Sequence, residues 1–122
     1  MRNVKNISRH DILKIAKWCK TNLGTKNSKP APRIVFYTKK KYDGWLGMYD
    51  WDDNIIELNR DGHRSVLDIC DTMIHEWSHY LQPYRQFSKR DEHMDYNENP
   101  YEQEAEHRAS IWKRICLDET FK

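Results

Sequence analysis

Two histidines and a glutamate stand close together near the middle of the chain, as His75, Glu76 and His79. On a helix, residues four apart lie one above the other, so both imidazoles can reach a single Zn²⁺ at about 2.0–2.1 Å. Glu76 is turned about 100° away from His75, which directs it to a water on the metal rather than to the metal itself. The spacing therefore predicts two zinc ligands and one general base.

A catalytic zinc site needs a third protein ligand and an open position for water. The metzincin arrangement is excluded, because Gln82 and Arg85 stand where it has a glycine and its third histidine. Three later side chains remain as candidates: Glu102, Glu106 and His93. His93 lies in a long segment without a clear hydrophobic period.

The two glutamates share one face of a predicted C-terminal helix. Glu102, Glu106, Ala105 and Ala109 fall within about 100° of arc, and the alanines would allow a close approach to the histidine-bearing helix. With Asn99 as N-cap, however, Glu102 occupies the third helical position, where a glutamate often folds back onto the cap. In that case Glu106 would be the ligand.

Residues 75–82 and 99–106 together resemble the two motifs of gluzincin-type zinc metallopeptidases, which include small phage and bacterial intracellular members. The resemblance covers roughly residues 33–112 and includes the strand-rich segment before the first motif. It implies a zincin-like fold and zinc-dependent hydrolysis of peptide bonds, with a protein or peptide as substrate.

The resemblance also implies a role for each residue of the site. It assigns zinc binding to three residues: His75, His79 and Glu102. It assigns proton transfer to Glu76. Glu106 departs from the family pattern, which usually has Asp or Asn at that position. With His93 as third ligand the chain would instead resemble SprT-like proteases, some of which act on DNA-bound proteins.

A non-catalytic module stabilised by zinc is the alternative function. It would bind a partner protein or nucleic acid through the basic residues 39–41 and three aromatic residues: Trp45, Tyr49 and Trp51. The net charge of +2 is low for a protein that binds phosphate backbones. Glu76 also argues against this alternative, because a purely structural metal site has no use for a base.

Three segments show the apolar spacing of helices. Ser8 predicts the start of the first helix and Gly24 its end. Ser65 predicts the start of a second, which carries the two histidines and stops before Pro83. The Asn-Pro pair at 99–100 predicts the start of the third, as N-cap and first helical residue.

Between the first two helices, three short stretches favour β-strands. Residues 33–38 are β-branched and aromatic, residues 45–51 alternate with period two, and residues 55–59 return after a turn. The prediction is a three-stranded antiparallel sheet within an α+β fold of minimal zincin-like layout. An exposed edge at residues 44–51 could pair with an extended substrate.

Length and composition limit the class of protein. The chain has 122 residues, which suits one domain, 1–122, and its 15 aromatic residues (5 Trp, 7 Tyr and 3 Phe) can build a core despite only 38% hydrophobic residues. No stretch is long and apolar enough for a membrane span or a signal peptide. Three widely spaced cysteines predict buried free thiols. We expect a monomer in the cytoplasm, such as a phage protein in its host.

Overall fold

The computed structural model describes residues 3–38, 45–83 and 99–121. In chain order they form helix α1 (Arg9–Leu23), strands β1 (Arg33–Tyr37), β2 (Gly47–Asp50) and β3 (Ile55–Asn59), and helices α2 (Val66–Leu81) and α3 (Pro100–Phe121), after a short 3-10 turn at Val4–Asn6. The predicted α+β class is confirmed. Within these ranges, none of the helices combines the length and the apolar character needed to cross a bilayer.

The helix ends follow the predicted local chemistry. The Ser8 hydroxyl accepts from the backbone N–H of Asp11, and the Asp11 carboxylate accepts from the Ser8 N–H, which closes a capping box on α1. Gly24 ends that helix with φ 89°, a backbone conformation that favours glycine. Ser65 caps α2 in the same way as Ser8, by accepting from the N–H of Asp68.

The sheet differs from the prediction in its topology. The strand order is β1-β3-β2, with β2 antiparallel to β3 but β1 parallel to it, so the sheet is mixed. The antiparallel assignment was wrong for β1, because sequence adjacency suggested a hairpin between β1 and β2. Instead β3 is the central strand of the sheet. This position agrees with the burial of its side chains, since Ile56 and Leu58 are both fully buried. The predicted edge at β2 is confirmed among the described strands.

Helix α2 lies at the centre of the packing. Its apolar stripe, which includes Met73 and Trp77, is buried in the main core together with residues of the sheet and α1. The Trp77 indole N–H donates to the carbonyl oxygen of Gly24, which ties α2 to the end of α1. The opposite side of α2 is covered by α3, so even the polar residue His79 is only 5% exposed.

Helix α3 packs mainly against α2. Ala105 and Ala109 are both buried, as predicted for small residues where two helices come close. The three cysteines are free and buried, as the sequence indicated. Docking of α3 therefore brings its first turn, which begins at Pro100, alongside the last turns of α2.

Candidate metal centre

Both imidazoles of α2 and one carboxylate of α3 converge on a single point. Oε1 of Glu102 lies 3.1 Å from Nε2 of His75 and 2.5 Å from Nε2 of His79. The two imidazole rings lie one helical turn apart and meet edge to face, with centroids separated by 4.8 Å and planes at 80°. Glu102 follows His75 by 27 positions and His79 by 23 positions in the sequence, yet the three residues present their metal-ligand atoms to the same space.

The donor set and its spacing fit a zinc ion. The three ligand atoms lie within 4.8 Å of one another. Tetrahedral zinc with bonds of about 2.0–2.1 Å would hold its ligand atoms about 3.3 Å apart, so the His75–Glu102 contact is already close to that spacing and the His79–Glu102 contact would lengthen by about 1 Å. Among the described residues no fourth His, Cys, Asp or Glu joins this group.

The other candidates for third ligand have different positions. Glu106 is exposed on α3 and lies outside the group, one turn beyond Glu102. His93 falls outside the described residues. Asn99 does cap α3, because its side-chain oxygen accepts from the N–H of Tyr101. The Oε1 atom of Glu102 nevertheless points to the imidazoles, so the cap does not remove this carboxylate from the site.

The charges of the site stabilise one another. Burial by itself would raise the pKa of Glu102, but hydrogen bonds with His75 and His79 outweigh it and lower this pKa to about 2. For His79, burial by itself would lower the pKa, but the hydrogen bond to Glu102 and the charge of Glu76 outweigh it and raise this pKa above its ordinary value. The metal-free site thus keeps an anionic carboxylate against a histidine with increased proton affinity.

Glu76 is buried beside the metal-ligand atoms and contacts the edge strand. Burial raises its pKa, the two imidazoles lower it, and a hydrogen bond from the backbone N–H of Tyr49 also lowers it, with a net upward shift. The Glu76 carboxylate of α2 therefore lies next to β2. Residue type and spacing could not indicate this neighbour, because it is a main-chain group on a distant strand.

A further residue that the sequence did not single out is Gln82. Its side-chain oxygen lies 2.8 Å from Nδ1 of His79, on the ring edge away from Glu102. Three polar residues lie one or two helical turns before the histidines in the sequence and are the natural candidates to orient the imidazoles: Asp68, Asp71 and Thr72. Asp68 instead accepts from a backbone N–H at the start of α2, Asp71 faces Lys113 at 3.7 Å, and Thr72 lies 2.9 Å from the ring of His63. The spacing of Gln82, three residues after His79, was the available signal.

Comparisons of the chain with protein-family models, with curated proteins and with solved structures find no match.

Proposed function

We propose that this chain is a zinc-dependent peptide hydrolase. The observation that carries the proposal is the convergence of His75, His79 and Glu102, with the buried carboxylate of Glu76 beside them. Two imidazoles, one carboxylate and an open position form the donor set of catalytic zinc sites, whereas structural sites have four protein ligands. A bound zinc would act as a Lewis acid and would activate water near neutral pH.

The protein residues divide the remaining work. Glu76 accepts a proton from the attacking water and later transfers it to the leaving amine, which is general acid–base catalysis. The main-chain N–H of Tyr49 lies beside the Glu76 carboxylate, so the general base is next to the edge strand. Glu102 would supply the third ligand, and its negative charge would compensate the charge of the metal.

The edge of β2 supports an extended peptide as substrate. The N–H of Asn59 donates to the carbonyl oxygen of Leu46, so residues 46, 48 and 50 pair with β3 in the alternating antiparallel pattern. Gly47 and Tyr49 then direct their main-chain groups to the outer edge, on the side where Glu76 lies. A substrate strand that pairs with this edge would pass close to the general base.

The first experiment measures zinc binding and peptide cleavage in the same preparations. Wild-type protein is expected to bind about one zinc per chain and to cleave an unfolded protein substrate. Glu76→Gln is expected to keep the zinc and to lose cleavage by at least about 100-fold, since a general base contributes about 10²–10⁴-fold. Equal cleavage by Glu76→Gln and wild type would refute the role of Glu76.

The same preparations test the alternative function, a non-catalytic zinc module. Zinc binding with no cleavage by wild type, together with salt-sensitive binding of single-stranded nucleic acid, would favour that alternative. One observation weighs against it: Tyr49 is only 7% exposed, and its hydroxyl donates to the side-chain oxygen of Asn54. This ring is therefore not available to stack on a base. Residues 39–41, the basic part of that surface, lie outside the described residues.

A further inference from the structure

Gln82 occupies a connecting position between the two helices that carry the ligands. It follows the last residue of α2 with an extended backbone (φ −81°, ψ 157°), and its N–H donates to the carbonyl oxygen of His79. This turn carries the side chain back along the end of α2, where Gln82 is only 3% exposed. A buried amide of this kind has to satisfy both its oxygen and its NH₂ group.

The neighbours of the amide determine its orientation. Its nitrogen lies 2.8 Å from the carbonyl oxygen of Tyr101 and 3.1 Å from Oε1 of Glu104. A main-chain carbonyl and a carboxylate can only accept hydrogen bonds, so the NH₂ group has to face them. The amide oxygen then faces Nδ1 of His79 at 2.8 Å, and the flipped orientation would place an oxygen against two acceptors.

This orientation fixes the state of the histidine. An amide oxygen only accepts, so Nδ1 of His79 has to carry a hydrogen. When the imidazole is neutral, as in a metal-bound histidine, its lone pair is then on Nε2. This is the atom that lies at the candidate metal position, next to Glu102. The same amide also holds the carbonyl of Tyr101, the residue before Glu102, so one side chain acts on two of the three ligands.

We propose that Gln82 is a positioning residue of the metal centre, which holds His79 with Nε2 free for the metal and fixes the first turn of α3 next to it. The inference rests on the proposed zinc site and adds a role that the ligand motif does not contain. Partners that orient metal-bound histidines typically change metal affinity by about 10–100-fold when they are removed. Gln82 is therefore expected to influence zinc affinity more than it influences folding.

The test compares Gln82→Met, which has similar size but no hydrogen-bonding group, with Gln103→Met as matched control. Gln103 is a glutamine on the first turn of α3, close to the site in sequence, and its side chain is exposed. Zinc affinity, measured by competition with a chelator, is expected to fall about 10–100-fold in Gln82→Met and to stay near wild type in Gln103→Met. Equal zinc affinity of the two variants would overturn the role of Gln82.

A second readout separates orientation of the ring from a general loss of stability. In zinc-loaded protein with ¹⁵N-labelled histidine, the Nδ1–H of His79 is expected to exchange slowly with water in wild type and much faster in Gln82→Met, which lacks the accepting oxygen. The double variant Gln82→Glu with Glu104→Gln restores an acceptor for Nδ1 and lets an amide at position 104 donate to it, but it does not restore the hydrogen bond to the carbonyl oxygen of Tyr101. This variant is expected to keep slow exchange of the His79 Nδ1–H and to bind zinc more tightly than Gln82→Met.

The outcomes distinguish this inference from the proposed function. A wild-type protein that binds no zinc would overturn the metal centre and, with it, the role of Gln82. A wild type that binds zinc, with a double variant in which the His79 Nδ1–H exchanges far faster than in wild type, would overturn only the role of Gln82. If Gln82→Met does not fold, the double variant decides by the same signal.

Discussion

Glu102 and Glu106 are the same residue type one helical turn apart, yet α3 gives them different surroundings. Oε1 of Glu102 contacts both imidazoles, and its side chain is only 12% exposed. Glu106 is exposed to solvent. A difference of four residues along a helix turns a side chain by about 40° and moves it by about 6 Å, which is enough to separate a ligand position from the surface.

This pair provides a matched prediction for the third ligand. Glu102→Gln is expected to weaken zinc binding more than about 100-fold, because loss of a direct ligand should exceed the 10–100-fold effect of an outer partner. Glu106→Gln removes the same charge from the same helix and is expected to leave zinc affinity within about threefold of wild type. Competition with a chelator measures both, and a stronger effect of Glu106→Gln would reverse the assignment.

Tyr49 provides a prediction about pH. Burial, with the neighbouring Tyr80 and Asp50, raises its pKa from 10.0 to about 12. The unfolded chain therefore loses this proton first, so the contribution to stability is complete below pH 10 and is lost as pH rises towards 12. At neutral pH, Tyr49→Phe is expected to be less stable by about 1 kcal/mol, because the hydrogen bond to Asn54 is lost.

The difference in unfolding free energy between wild type and Tyr49→Phe is then expected to shrink as pH rises above about 10 and to change sign before about pH 12. Urea denaturation at several pH values measures it. Parallel pH profiles of the two proteins would contradict the raised pKa, since only wild type has this hydroxyl to titrate.

At the scale of elements, the packing of β2 against α2 determines what surrounds the carboxylate of Glu76. Gly47 makes the close approach possible: a Cβ atom at this position would lie 2.6 Å from Cγ2 of Thr72 on α2 and 3.0 Å from Cδ2 of Leu58 on β3. The N–H of Tyr49, two residues further along the strand, then reaches Glu76. A Cβ atom at position 47 therefore requires the side chain of Thr72 or the strand itself to shift.

Gly47→Ala is accordingly expected to destabilise the protein by about 1–3 kcal/mol, the usual cost of overpacking. Met48→Ala is the control on the neighbouring residue, since Met48 is 43% exposed and its loss should change stability by less than about 0.5 kcal/mol. Chemical denaturation compares the two variants. A Gly47→Ala protein as stable as Met48→Ala would mean that the strand adapts without strain.

At the scale of the whole molecule, the candidate metal centre joins two helices that the chain connects only through a long segment. His75 and His79 belong to α2, and Glu102 belongs to α3. These helices also form the largest packing interface between described elements. A metal bound by both would stabilise the folded state, because the unfolded chain does not hold the three ligands together.

Removal of zinc is therefore expected to lower stability. With free zinc at about 100 times its dissociation constant, the stabilisation amounts to about 2.7 kcal/mol. Urea denaturation with zinc and with a chelator measures this difference. The unfolding free energy of Glu102→Gln should depend little on zinc under the same conditions. If zinc stabilised this variant as much as wild type, the metal would have to bind elsewhere.

The sequence by itself determined the features that depend on neighbours along the chain. The caps at Ser8 and Ser65, the burial of the helix stripes and the stacking of His75 over His79 all follow from the fixed geometry of a helix. These interactions span three or four residues, so residue type and spacing are sufficient to predict them.

Only the tertiary structure decided the features that join distant segments. These are the central position of β3, the choice of Glu102 over Glu106, the N–H of Tyr49 on Glu76 and the amide of Gln82 between the two helices. The sequence pattern was compatible with several arrangements because each contact requires one element to dock on another at a particular angle. That angle is set by close packing of the whole core, at residues such as Gly47 and Ala105, and local periodicity does not contain it.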